Sequence, residues 1–88
     1  MPPLLKKQKM NRTEILEKIH PIFLEEFDVE ELIITEETTA LDIDEWDSLS
    51  HIQLVVAFEK SFQIRFTSSE IQSWKNVGQI IDCISSKL

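Results

Sequence analysis

The sequence predicts an all-α fold: a small four-helix bundle, three longer helices plus one short helix, with a long first loop. Three observations carry that prediction. Apolar residues recur at helical spacing in three separate stretches of the 88 residues. Asn11 with Glu14, Thr67 with Glu70 and Asn76 with Gln79 each have the spacing of a capping box, in which a side chain and a backbone N–H pair reciprocally at a helix start. There is one glycine, no tyrosine and no Asn-Gly or Asp-Gly dipeptide, which argues against hairpins and a β-rich fold.

Residues 1–10 read as a flexible N-terminal tail: they contain Pro2-Pro3 and Lys6, Lys7 and Lys9 but no periodicity. Residues 11–88 read as one helical domain, small enough that its core is marginal. Helix one is predicted over 12–27 from Ile15, Leu16, Ile19, Ile22, Phe23 and Phe27. Pro21 lies inside it and removes one backbone donor, so a kink or a weakened turn is expected there. The apolar period nevertheless runs through the proline without a phase break.

The connection over 28–47 is long for so small a domain, a length often associated with function. Ile33, Ile34, Leu41 and Ile43 are expected to pin it to the helices, and residues 29–32 to form a turn of helix. Its second half is acidic, with Glu36, Glu37, Asp42, Asp44, Glu45 and Asp47. These acids read equally as a solvated loop or as a negative rim around the residue that follows them, Ser48.

Helix two is predicted from Ser48 to Phe62, with Asp47 as its N-cap: a carboxylate there accepts the free N–H groups of the first turn. Trp46 then precedes the cap and His51 is the fourth helical residue, the spacing of a staple that fixes the entry angle of the chain. Ser48 is the first helical residue, its hydroxyl exposed beside the positive end of the helix dipole, where a phosphate ester is favoured. At 100° per residue, Leu54, Val55, Phe58 and Phe62 form one core stripe. Leu49, Ile52 and Val56 form a second stripe near Ser48. Ser50, Gln53, Lys60 and Ser61 take the wet side. The second stripe suits either a central helix packed on two neighbours or an exposed patch for a partner, and the pattern alone slightly favours the first.

Ile64, Arg65 and Phe66 continue in extended form to a short helix three at 68–74. In helix four, Val77, Ile80, Ile81, Ile84 and Leu88 are spaced i, i+3, i+4, i+7 and i+11, an unbroken apolar stripe.

Catalytic signatures are sparse. Ser48 lacks a G-x-S-x-G setting. His51 is three residues on, but its helix angle turns it toward the core, so a packed, stapling histidine is preferred to a general base. His20 is assigned no special role. Residues 42–53 start like a calcium loop but lack its glycine at the sixth position and its glutamate at the twelfth. Cys83 is alone, which excludes a disulfide framework, and reads as a partly buried, unreactive thiol. The formal net charge is −7. With Lys6, Lys7 and Lys9 set aside, residues 11–88 hold 6 basic against 16 acidic residues, a net of −10. Such acidity disfavours nucleic acid and anionic membranes and suits basic protein partners. No apolar run has the length of a membrane span and no secretion signal is evident, so a cytoplasmic monomer is expected.

From about Thr13 to Leu88 the chain resembles the acyl carrier proteins, the phosphopantetheine-attachment domains of fatty-acid and polyketide systems. The strongest piece is Trp46-Asp47-Ser48-Leu49-Ser50-His51-Ile52. Phe58-Glu59-Lys60-Ser61-Phe62-Gln63-Ile64 looks like the family's E-x-x-F-x-I run, Asn76-Val77-Gly78-Gln79-Ile80-Ile81 like its last helix opening, and Thr39-Ala40-Leu41 fits its long first loop. The resemblance implies that Ser48 receives 4′-phosphopantetheine from coenzyme A through a separate magnesium-dependent phosphopantetheinyl transferase, and that acyl groups then travel as thioesters. It implies a non-enzymatic carrier that meets acyl-loading and acyl-processing enzymes with basic surfaces. The expected partner-binding residues are Asp44, Glu45, Asp47, Leu49, Ile52, Val56 and Glu59. For the second stripe of helix two it favours a partly exposed patch.

Two departures stand out. Gln63 stands where the family often has glycine. Gln53, Lys60 and Ser61 replace acids, leaving Glu59 as the only acid of helix two, so the acidic rim is displaced to the preceding loop. The Trp-Asp-Ser-Leu-Ser-His-Ile form is similar to free-standing carriers of specialised pathways such as polyketide or related natural-product assembly. A Gly-Gly-x-Ser setting, as in peptide-synthetase carriers, is absent. D-alanyl carriers share Asp-Ser but usually follow it with Met, and rank lower. The competing class is an acidic helical interaction module that is never modified; a hydrolase built on Ser48 and His51 ranks last.

Overall fold

A computed structural model of the chain describes residues 10–88. Its helices are α1 (Arg12–Phe27), α2 (Ser48–Phe62), α3 (Ser68–Ser73) and α4 (Val77–Lys87), with a 3₁₀ turn at Ala40–Asp42 and no strand among the described residues. The predicted all-α class and the bounds of α1 and α2 hold. Residues 1–9 of the expected tail lie outside the described residues. Met10 does not behave as tail: it packs half-buried against the core.

The core is made of the predicted stripes. Ile15, Ile19, Phe23 and Phe27 of α1 meet Leu54, Phe58 and Phe62 of α2 and Val77, Ile80, Ile81 and Ile84 of α4. Phe23 is its centre, edge-on to Phe27 at 5.6 Å and to Trp46 at 5.2 Å, and tilted against Phe58 at 5.8 Å. Such edge-to-face pairs add attraction beyond the area they bury. α1 is continuous through Pro21, which sits on the exposed side of the helix. Cys83 is half-buried, and burial raises its thiol above the ordinary range, in keeping with an unreactive thiol.

Capping carries the helix boundaries. Asn11 and Glu14 close a full capping box, as do Thr67 and Glu70. Asn76 caps α4, but Gln79 turns its carbonyl to the N–H of Lys75 at 2.8 Å, so the box predicted there is half made. α1 and α2 end alike, on left-handed residues: Asp28 at φ 57° and Gln63 at φ 58°. At α2, both Gln63 and Ile64 donate to the carbonyl of Glu59. A left-handed residue favours glycine because it has no Cβ to crowd the following carbonyl, which explains why Gln63 stands out in the sequence.

The long loop is docked rather than loose, though not by all the residues expected. Ile34 and Ile43 are buried, whereas Ile33 is 87% and Leu41 96% exposed. The helical turn expected at 29–32 is absent: the chain leaves α1 through left-handed Asp28 and bends at Glu30, and the loop's one helical turn is the 3₁₀ turn capped by Thr39 and Asp42. The N–H groups of Val77 and Gly78, unpaired within α4, donate to the carbonyls of Thr38 and Glu36 at 2.9 and 2.7 Å. Gly78 permits this approach, since a Cβ there would lie 3.1 Å from the Glu36 carbonyl oxygen. Arg12 ties the same corner together, donating to both oxygens of the Glu36 carboxylate, to Asp82 and to the Gly78 carbonyl. That contact holds the Glu36 carboxyl below its usual range.

Candidate functional site

The site is the junction between the acidic loop and α2. Ile43 and Trp46 are buried and leave Asp44, Glu45, Asp47 and Ser48 exposed between and after them. Asp47 caps α2 as predicted, its carboxylate accepting the Ser50 N–H at 2.9 Å. Ser50 completes the box: its hydroxyl accepts from the Asp47 N–H at 2.8 Å and donates to the Glu45 carbonyl at 2.7 Å. Ser50 is therefore buried and not on the wet side. The Asp-x-x-Ser spacing was visible, but the usual box has Glu or Gln in the last place. The Ser50 N–H bond holds the Asp47 carboxyl below the ordinary carboxylate range. Ser48 follows as the first helical residue, exposed and rigidly framed.

The staple is also built. The Trp46 indole Nε1–H donates to His51 Nδ1 at 3.0 Å, with the rings stacked 6.1 Å apart. His51 Nε2 lies 3.2 Å from the Ile71 carbonyl. Since Nδ1 accepts, Nε2 carries the proton and donates to Ile71. Both ring nitrogens are thus engaged away from Ser48, and a Ser48–His51 nucleophile pair has no geometric basis.

His51 bridges two regions that the sequence keeps apart. Its ring meets the edge of Trp74 at 5.7 Å, and Trp74 meets Phe66 at 4.9 Å. Trp46, His51, Ile52, Ile71 and Trp74 thereby wall an open cleft of about 620 Å³ that has Ser48 on its rim. Among the described residues, Asp47 is the only charged residue of its lining. The two tryptophans are far apart in sequence, and what unites them is the tertiary contact of His51 with Ile71 and Trp74.

The second stripe of α2 is exposed: Leu49 is 70%, Ile52 53% and Val56 44% accessible. That decides between packed helix and free patch in favour of the patch. Glu59 stands differently from the other expected partner residues. It is half-buried, and its carboxylate accepts the Phe66 N–H at 2.9 Å, which ties α2 to the following linker. Among the described residues, no helix is long and apolar enough to cross a membrane.

This geometry has counterparts. Residues 17–84 match the family model described as the phosphopantetheine attachment site. The chain is 32% identical over 80 residues to an acyl carrier protein of Thermosynechococcus vestitus, covering 90% of this chain and 98% of that one. It is 33% identical over 78 residues to one of Thermotoga maritima, covering 89% and 96%. In three dimensions it is similar to the solution structure of a holo acyl carrier protein from Geobacter metallireducens, with a TM-score of 0.77 and 44% identity over 82% of this chain and 83% of that one. The prosthetic group these matches indicate is a covalently attached 4′-phosphopantetheine. An exposed hydroxyl at a helix N-terminus, beside an apolar cleft, fits such an arm. An all-helical bundle, a docked first loop, an Asp-capped second helix and full-length similarity to known carriers converge: the chain belongs to the acyl carrier protein family.

Proposed function

We propose that Ser48 is the residue that bears the 4′-phosphopantetheine arm, and that the chain is a carrier and a substrate of a phosphopantetheinyl transferase. The observation that carries this reading is the exposed Ser48 hydroxyl at the first position of α2, framed by the Asp47–Ser50 box and opening onto the cleft. In the transfer, Ser48 Oγ forms a bond to the coenzyme A phosphorus next to pantetheine. The bond from that phosphorus to the adenosine-side bridging oxygen breaks, and 3′,5′-adenosine bisphosphate leaves. The serine proton passes to a base of the transferase, since His51 is committed to Trp46 and Ile71.

When attached, the arm supplies a terminal thiol that holds acyl groups as thioesters and raises their effective concentration at successive enzymes. This chain's own residues hold and present it. The helix N-terminus favours the phosphodiester charge. Trp46, Ile71 and Trp74 offer an apolar surface within the cleft. Asp44, Glu45 and Asp47 steer basic enzymes toward Ser48, and Leu49, Ile52 and Val56 give them an apolar seat. The scarcity of acids on α2 supports a specialised pathway, polyketide-like or another natural-product system, rather than general fatty-acid synthesis. A monomeric, cytoplasmic carrier is the accompanying reading.

Intact mass after incubation with coenzyme A, magnesium and a broad-specificity transferase tests the assignment. The parent is expected to gain one phosphopantetheine, mapped to Ser48, and Ser48→Ala to gain none while folding normally. A folded parent, verified as unmodified at the start, that gains no mass would sink the reading.

A further inference from the structure

The groove between α1 and α2 adjoins the Ser48 cleft. It has a volume of about 680 Å³, and its lining includes Ile22, Glu25 and Glu26 of α1 and Ile52, Val56 and Lys60 of α2. Ile52 lines both groove and cleft, so the two depressions share a wall. Ile52 is one turn from Ser48, and Val56 is about 12 Å along the helix axis.

The direction of the helices sorts the charges. Phe27 packs on Trp46 at one end, and the Lys18 ammonium lies 4.7 Å from the Phe62 ring centroid at the other, so α1 and α2 run antiparallel. The last turns of α1, with Glu25 and Glu26, therefore lie toward the Ser48 end of the groove. Lys60 lies toward the far end.

Glu25 and Glu26 also stand where helix stability argues against them. The C-terminal end of a helix carries partial negative charge, and carboxylates there are unfavourable. The last turn of α1 has no basic residue, and within the described residues neither acid forms an ion pair. A local rule broken without a compensating contact is characteristic of functional positions.

We propose that this groove is the docking surface of the phosphopantetheinyl transferase. A protruding apolar side chain of the enzyme enters between Ile22, Ile52 and Val56, and basic residues beside it pair with Glu25 and Glu26. The inference rests on Ser48 as the attachment residue. The transferase must bring its active site to the Ser48 oxygen itself, without the reach of an arm, and so covers the surface one and two turns along α2. The acids it meets there come from α1, because the sole acid of α2, Glu59, is turned to the Phe66 N–H.

Kinetics of arm transfer at about 50 mM and about 0.5 M salt test this, the higher salt screening charge pairs. The double variant Glu25→Gln, Glu26→Gln is expected to raise the KM for the carrier roughly 5- to 20-fold at low salt with kcat unchanged, the difference closing at high salt. The pair Glu17→Gln, Glu30→Gln removes equal charge at exposed positions outside the groove and is expected to shift KM less than about twofold. An equal rise in both pairs, or none in either, overturns the proposal. Amide NMR shifts on adding the transferase without coenzyme A give a second readout: residues 22–26 and 52–57 are expected to move, and shifts confined to the loop and α2 also overturn it. A parent that gains no arm overturns this proposal together with the assignment of Ser48. A parent that gains it at a rate the groove variants leave unchanged overturns this proposal alone.

Discussion

The cleft beside Ser48 has two unequal walls. One wall is α2 and the loop before it, fixed by the Asp47–Ser50 box, the buried Trp46 and a helix whose Leu54 and Phe58 reach the centre of the core. The opposite wall, α3, contributes no buried residue. It is held by the His51–Ile71 hydrogen bond, by Phe66 and Trp74, and by the Glu70–Lys87 ion pair at 3.0 Å. An ion pair still partly open to water adds little. The difference teaches that the attachment residue is placed by the core, whereas the surface facing it is the part of the bundle that costs least to displace.

The sharpest way to break that contrast is His51→Ala. It removes the link between the walls and leaves the Trp46 indole N–H and the Ile71 carbonyl without their partner, a loss of about 1–3 kcal/mol. Hydrogen exchange resolved by residue is expected to speed up over α3 first, with α1 and α4 little changed. Uniform acceleration across all four helices would mean that α3 is as firmly built in as the rest.

A smaller effect isolates the fixed wall. The Asp47 carboxyl is held below its ordinary value by the Ser50 N–H, so its contribution to stability is present above the unfolded carboxylate pKa. That contribution is lost as pH falls through the lower, folded value. Glu36 and Glu70 are lowered in the same sense, Glu36 by Arg12, and Glu70 chiefly by the Thr67 N–H and then by Lys87. The melting temperature is therefore expected to fall below about pH 4. Asp47→Asn retains a good cap without a titrating group, so its melting temperature should decline less steeply with acid than the parent's. Parallel curves would show that the Asp47 charge has no part in the cap.

The two walls were also unequally legible in the sequence. α1 and α2 were legible because apolar period and cap agree there, joined at α2 by the staple. The Trp46–His51 pair was readable for the same reason, as both partners lie within one turn of a helix start. Ile33 and Leu41 were misjudged because hydrophobicity inside a loop does not say which way a side chain faces; the loop's hydrogen bonds to Val77 and Gly78 settle that. Ser50 was misplaced because helix angle alone ignores a side chain that folds back onto its own cap. The cleft was illegible, since Trp74 reaches His51 only through the packing of α3, for which no periodic signal exists in six residues.

The smallest effect bears on how the fixed wall ends. Gln63 closes α2 at φ 58°, and Ile64 is buried immediately after it. A β-carbon in that region is strained, so Gln63→Gly is expected to stabilise the fold by about 0.5–1 kcal/mol, less than the strain itself because glycine also gains freedom in the unfolded chain. Asp28→Gly at the matching end of α1 starts from a residue that tolerates the left-handed region better, and its strain relief is therefore smaller. Denaturant midpoints of the two variants, read against the parent, measure the difference. A loss of stability at Gln63→Gly would mean that the glutamine side chain makes a compensating contact. In that event the departure from glycine at this position would be a second fixture of α2, placed at the end opposite the Asp47 cap.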